Sequence, residues 1–210
     1  MIVLPEIEEY ISTYSEKEPL LLSQLNDETM ETSHVHHMLS GQYQGRLLAL
    51  LSKMIQPTVI VEIGTFTGYS ALCLAEGLKA NGMLYTIDTD EKMQTIAKKY
   101  FDQSSYANQI TTIFGDAKEK LESITQKIDL AFIDADKRAY SLYFDKILPK
   151  MNPNGILLFD NVLWKGKVLE EEKDKKTLAI HQFNQKIVDD DRVEAVLLPI
   201  RDGLTIMRVK

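Results

Sequence analysis

Five short apolar runs recur between positions 58 and 160: TVIVEI (58–63), MLYTID (83–88), ITTIF (110–114), IDLAFID (128–134) and GILLFD (155–160). Each ends at an aspartate or runs straight into a glycine. The first, TVIVEI, is a continuous β-branched run, as expected of a parallel strand buried on both faces. The stretches between them read as helices over Tyr69–Ala80, Glu91–Gln103, Ala117–Ile124 and Lys137–Leu148. Strand and helix in strict alternation imply a doubly wound α/β sheet with right-handed crossovers. A polar loop and a helix over Lys175–Asp190 follow. Two last runs, Val193–Pro199 and Leu204–Val209, flank Arg201-Asp202-Gly203, the signature of a closing antiparallel hairpin. The expected sheet is therefore seven-stranded and mostly parallel, with helices on both faces.

The 210 residues suit one domain, 1–210, without internal repeats. Residues 1–34 are polar and acidic, broken by Pro5 and Pro19, and read as a helical extension of one or two short helices outside the main core. A stronger helix is expected from Val35 to Ile55, ended by Pro57. No apolar run approaches the ~20 residues a membrane span requires. The acidic start MIVLPEIEEYI is unlike a secretory signal, and the single cysteine, Cys73, fits a reducing, cytoplasmic setting. A formal net charge of -7 argues against a broad nucleic-acid surface, which needs clustered Lys and Arg.

Ligands of doubly wound sheets bind beyond the carboxyl ends of the strands. After the first run comes Glu62-Ile63-Gly64-Thr65-Phe66-Thr67-Gly68-Tyr69-Ser70, with two glycines to admit a tight turn and a helix N-terminus behind them. Phe66 stands where a dinucleotide fingerprint would place its second glycine. Asp88 ends the second run, placed to accept hydrogen bonds from ribose hydroxyls or to cap the next helix, with Asp90 competing for the cap. Asp116 either caps a helix or meets an adenine edge. Asp134, Asp160 and Asn161 end neighbouring runs with Lys137 close by. Singly, each aspartate reads as a cap. Together, two carboxylates and a carboxamide make a hard oxygen site suited to Mg²⁺.

Other candidates are weaker. His34, His36 and His37 precede a helix, and only His34 and His37 share a face. Cys73 lies on an apolar face and reads as packing. Trp164 is either an aromatic wall of a substrate pocket or a packing anchor. The charge runs at 170–172 and 173–176 read as a solvated face.

The motifs VEIGTFTGYS (61–70), TIDTD (86–90), GDA (115–117), FIDADKRAY (132–140), DNVLWKGKV (160–168) and LPIRDGLTIMRVK (198–210) occur in an order that resembles the cation-dependent, class I S-adenosylmethionine O-methyltransferases. This family includes catechol O-methyltransferase, the caffeoyl-CoA O-methyltransferases and bacterial relatives, and the resemblance runs from about Met38 to the C-terminus. It implies a Rossmann-like fold, S-adenosylmethionine as methyl donor with S-adenosylhomocysteine as product, and Mg²⁺ or another divalent ion such as Mn²⁺ or Ca²⁺. It places Glu62, Gly64, Tyr69 and Ser70 at the methionine half of the cofactor, Asp88 at the ribose, and Asp116 and Ala117 at the adenine. Met38 and Ser40 would cover the cofactor and the reactive centre, and Asp134 would border both cofactor and metal. Asp134, Asp160 and Asn161 match the metal ligands and Lys137 the catalytic lysine. Met38, Lys137, Asn161, Trp164 and Arg201 fall on the substrate side, although relatives often carry a small residue where Arg201 stands. A homodimer is implied as well.

The expected reaction is metal-dependent methyl transfer to a hydroxyl of a catechol-type small molecule: catechol, protocatechuate, caffeate or a caffeoyl ester. One rival is O-methylation of a hydroxylated wobble uridine in tRNA, which a basic patch of Arg138, Lys165, Lys167 and Arg201 would favour. A second is a non-catalytic nucleoside-binding domain, which has no use for Asp134, Asp160, Asn161 and Lys137 together.

Overall fold

The computed structural model describes residues 4–33 and 39–210. Seven strands, β1 (Val59–Ile63), β2 (Met83–Asp88), β3 (Ile110–Phe114), β4 (Ile128–Ile133), β5 (Met151–Asp160), β6 (Val193–Leu198) and β7 (Leu204–Val209), form one sheet in the order β3-β2-β1-β4-β5-β7-β6. The first five are parallel neighbours, and β7 runs antiparallel between β5 and β6. The strand order reverses between β1 and β4, the place where doubly wound sheets open a ligand crevice.

The helices are α1 (Pro5–Thr13), α2 (Leu20–Thr32), α3 (Gly41–Ile55), α4 (Tyr69–Ala75), α5 (Glu91–Gln103), α6 (Ala117–Lys120), α7 (Tyr140–Ile147) and α8 (Lys175–Val188). Alternate residues of the central strands point to two separate cores. Val61, Ile63, Ala131, Ile133, Leu157 and Phe159 pack with α6, α7 and α8. There Tyr140, Phe159 and Phe183 meet edge to face or tilted, with ring centroids 4.6–5.5 Å apart. Ile60, Leu130, Phe132 and Leu158 face α2, α3, α4 and α5.

Several boundaries differ from expectation for local reasons. Helix α4 stops at Ala75 rather than Ala80. Ser52 Oγ donates to the Leu74 carbonyl at 2.6 Å, and α3 passes so near that a Cβ on Gly77 would lie 2.1 Å from the Ser52 carbonyl carbon. Helix α3 begins at Gly41, whose φ of +72° breaks a helix entering from Val35. Residues 117–124 and 137–148 each divide into α and 3-10 turns. Strand β5 begins four residues early, at Met151. Pro199 lies outside β6, having no N–H to give the ladder.

Helix α2 also departs from the expected peripheral segment. Leu22 and Leu25 are buried in the second core, and Thr29 donates to Thr67 Oγ1 at 3.0 Å in the loop after β1. Leu25 is fully buried, so Leu25→Ala should destabilise the fold by about 2–5 kcal/mol in urea denaturation. A change below ~1 kcal/mol, the range of uncritical surface substitutions, would show α2 to be an appendage.

Candidate active site

The register of the strands explains how the site forms. Ile63 is level with Ile133, and Ile133 with Phe159. The next residues, Gly64, Asp134 and Asp160, therefore stand side by side at the ends of these strands. In-register neighbours of parallel strands lie about 4.8 Å apart, so the two aspartates stand next to each other on the face that carries Phe132 and Leu158. A Cβ on Gly64 would lie 2.1 Å from the Asp134 carbonyl oxygen, and its φ is +102°. Glycine is required there by space and by backbone conformation alike.

A cavity of about 540 Å³ opens over these strand ends, within the usual range for small-molecule sites. Ser40, Gly64, Tyr69, Ser70, Asp88, Asp116, Ala117 and Asp134 all line it. All eight are positions expected to border the cofactor. Glu62 lies behind the wall. It is fully buried, accepting from Ser70 Oγ at 2.6 Å and from Thr86 Oγ1 at 2.5 Å. Met38, His34, His36 and His37 lie outside the described residues.

Asp88 is locked by main-chain donors. Its Oδ1 accepts from the N–H groups of Thr89 and Asp90 at 2.7 and 2.9 Å, and its Oδ2 from that of Phe66 at 2.8 Å. Phe66 makes that bond from a left-handed conformation, φ +48°, in the loop where a fingerprint glycine was missing. The helix cap falls to Asp90, which accepts from Met93 N–H, leaving Asp88 to the cavity. Asp116 does cap α6, accepting from Lys118 N–H at 2.9 Å, and lines the cavity at the same time.

Asp160 is 1% exposed. Its Oδ2 accepts from Gln44 Nε2 at 2.7 Å, its Oδ1 from Asn161 N–H at 2.7 Å, and its carbonyl oxygen from the Tyr140 hydroxyl at 2.7 Å. Burial, then the adjacent charge of Asp134, push its carboxyl up to about 6. Asn161 follows at φ +57°. Lys137 is buried, its ammonium bonded to Asp134 Oδ1 and 5.3 Å from the Tyr140 ring centre. Among the described residues, no three His, Cys, Asp or Glu side chains cluster for a metal; the set here is two carboxylates and an amide.

Trp164 and Arg201, two of the expected substrate-side residues, each have a partner within the chain. Trp164 is half-buried outside the cavity wall, with the Lys176 ammonium 5.1 Å over its ring. Arg201 turns inward, its Nη1 bonded to the Ser40 carbonyl and 3.2 Å from Gln44 Oε1. Cys73 is fully buried and its thiol is pushed up to about 12 by burial, as a packing residue should be. Sequence reading passed over Gln44, Tyr143 and Asp136, the last two on the cavity wall. Gln44 carried one signal: it sits one helical turn before the core residue Leu48, a polar residue on an apolar stripe.

The comparisons agree with this architecture. Residues 10–210 match the family model described as O-methyltransferase. The chain belongs to that family, the class I S-adenosylmethionine-dependent O-methyltransferases of Rossmann-like fold. It is similar to a catechol O-methyltransferase of Niastella koreensis, 32% identical with 80% of each chain covered. It is also similar to a caffeoyl-CoA O-methyltransferase of Populus kitakamiensis, 31% identical, covering 88% of this chain and 86% of that one. Among solved structures, the O-methyltransferase TomG from Streptomyces achromogenes in complex with SAM superposes with a TM-score of 0.90 at 27% identity, over 98% of this chain and 96% of that one.

Glu62 yields a prediction independent of substrate. Burial pushes its carboxyl from an ordinary 4.5 up to about 8. The folded chain thus holds a proton that the unfolded chain releases above pH ~4.5. Its stabilising contribution is complete below that pH and is lost as pH rises through about 8. Glu62→Gln cannot ionise. Relative to wild type it should gain on the order of a few kcal/mol between pH 5 and 8 in denaturant unfolding. A constant difference across that range would place the ordinary ionised glutamate in the fold.

Proposed function

We propose that the chain binds S-adenosylmethionine in the cavity over β1 and β2 and transfers its methyl group to one hydroxyl of a catechol-type small molecule, with a divalent cation at Asp134, Asp160 and Asn161. The observation that carries this reading is the pair of adjacent carboxylates beside buried Lys137, at the edge of a cavity lined by Asp88.

The residues present fit a cation. Two carboxylates stand side by side with one ammonium bonded to Asp134, and Asp160 is pushed toward its neutral form by burial and then by the charge of Asp134. The donors are all oxygen, the choice of a hard ion such as Mg²⁺. Such an ion supplies positive charge that stabilises an ionised substrate hydroxyl. A phenol otherwise ionises near pH 10 and is a poor nucleophile at neutral pH.

The chain's own groups do the rest. Asp88, its carboxylate oriented by three main-chain N–H groups, holds the ribose hydroxyls. Ser40, Gly64, Tyr69 and Ser70 line the methionine half, and Asp116 and Ala117 border the adenine. Lys137 acts in its neutral amine form, in which Nζ has the lone pair that accepts the hydroxyl proton. The oxygen then forms a bond to the methyl carbon as the carbon–sulfur bond breaks and its electron pair stays on sulfur. Positioning of the two reactants is the main contribution to rate.

A small acceptor is favoured over tRNA by the fate of the basic residues. Arg201 is bonded to the Ser40 carbonyl and to Gln44, which turns one of the four cations named for a patch inward, whereas Arg138 is exposed and paired with Asp136 at the surface. Tyr10 on α1, Tyr14 just after it, and Leu50 and Met54 on α3 are exposed and supply apolar surface for the homodimer that we also propose. No helix among the described residues is long and apolar enough to cross a membrane.

Mass spectrometry of a reaction with S-adenosylmethionine and caffeate or 3,4-dihydroxybenzoate tests the proposal. A monomethylated product is expected with Mg²⁺ and should vanish with EDTA; product that survives EDTA would sink the cation. Lys137→Ala should lower kcat by about 100-fold or more while leaving the Kd for S-adenosylhomocysteine within about twofold. Turnover at the wild-type rate would remove Lys137 from the proton transfer.

A further inference from the structure

Gln44 is a fully buried amide on a helix face otherwise committed to the core. A buried amide without partners is costly, and an apolar side chain would fill the space more cheaply. Gln44 instead spans two charged groups. Its Nε2 donates to Asp160 Oδ2 at 2.7 Å, and its Oε1 accepts from Arg201 Nη1 at 3.2 Å.

We propose that Gln44 is a positioning residue for the site: it sets the plane of the Asp160 carboxylate, and Arg201 sets the direction of the Gln44 amide. The proposal rests on the cation reading above. The chemistry allows only one orientation. A guanidinium has donors only and an ionised carboxylate acceptors only, so a flipped amide would lose both bonds. Asp160 is then held from two sides, by Gln44 at Oδ2 and by Asn161 N–H at Oδ1. Each oxygen keeps a second lone pair for an ion. Outer partners that orient a ligand in this way commonly change metal affinity 10–100-fold when removed.

Arg201 gives the relay its reach. The same Nη1 also bonds to the carbonyl of Ser40, which lines the cavity. Arg201 holds its place in the turn between β6 and β7 at a left-handed φ of +50°. One guanidinium thus ties that turn, the cavity wall and the carboxylate together.

The test uses the full chain and Mn²⁺ alone as probe, followed by the electron paramagnetic resonance signal of the free ion. Calorimetry with S-adenosylhomocysteine runs in parallel. Gln44→Met keeps the volume and offers no hydrogen bond. Its Mn²⁺ Kd should rise about tenfold or more, with the S-adenosylhomocysteine Kd within about twofold of wild type. Arg201→Met leaves the amide without its orienting partner and should raise the Mn²⁺ Kd by a smaller factor, about threefold or more. A purely structural role would lower thermal stability without moving Mn²⁺ affinity. Wild-type Mn²⁺ affinity in folded Gln44→Met overturns the proposal. Should that variant fail to fold, Arg201→Met decides it, and unchanged affinity there overturns the relay. A wild-type chain that binds no Mn²⁺ overturns the cation reading itself and the relay with it, a result separable from failure in the variants alone.

Discussion

The parallel register of β1, β4 and β5 is the constraint on which the site depends. Strands in phase deliver equivalent positions to one rim, and here those positions hold Gly64, Asp134 and Asp160. Two carboxylates brought together in this way repel, and burial makes the repulsion stronger. The fold tolerates it because each acid has specific donors: Lys137 for Asp134, and Gln44 and a main-chain N–H for Asp160. The Tyr140 hydroxyl fixes the Asp160 backbone from the opposite core. One residue thus joins the aromatic packing beneath the sheet to the chemistry at its edge.

Much of this was legible in the sequence, and the limits were physical. Strands β2, β3 and β7 and helix α5 fall where their apolar runs and caps imply. The continuous run at 58–63 correctly indicated burial on both faces. Helix ends were less legible where tertiary contacts decide them, as at Ala75, where Ser52 of another helix takes a carbonyl. The acidic ends of the strands were visible, but their partners were not. Gln44 lies 116 residues from Asp160 and Arg201 lies 157 from Gln44, so no local pattern joins them. Arg201 illustrates the difficulty: the resemblance set it on the substrate side, and nothing local in the sequence showed its bonds to the Ser40 carbonyl and to Gln44.

The same sheet face buries a further carboxylate with a different fate. Glu62 is level with Thr86 on the neighbouring strand, and the Thr86 and Ser70 hydroxyls reach its two oxygens. Hydroxyls can donate or accept, so they satisfy either protonation state of the acid. Asp160 faces an amide nitrogen and a main-chain N–H, which can only donate. Donor-only surroundings favour the ionised form, which is the form a cation needs. The contrast lies in the neighbours: the two hydroxyls around Glu62 suit either protonation state, and the two fixed donors on Asp160 suit the ionised one.

Helix α3 is suited to carry one of those donors because it is held along its whole length. Leu48 is fully buried in the core, Arg46 is bridged to Glu76 at 2.6 Å, and Ser52 is bonded to the Leu74 carbonyl. A side chain on so constrained a helix has little freedom to drift. Placing Gln44 there, rather than on the loops that form the rest of the rim, gives Asp160 a reference point in the rigid part of the fold. The loops remain free to shape the cavity, while the orientation of the buried carboxylate is referred to the core.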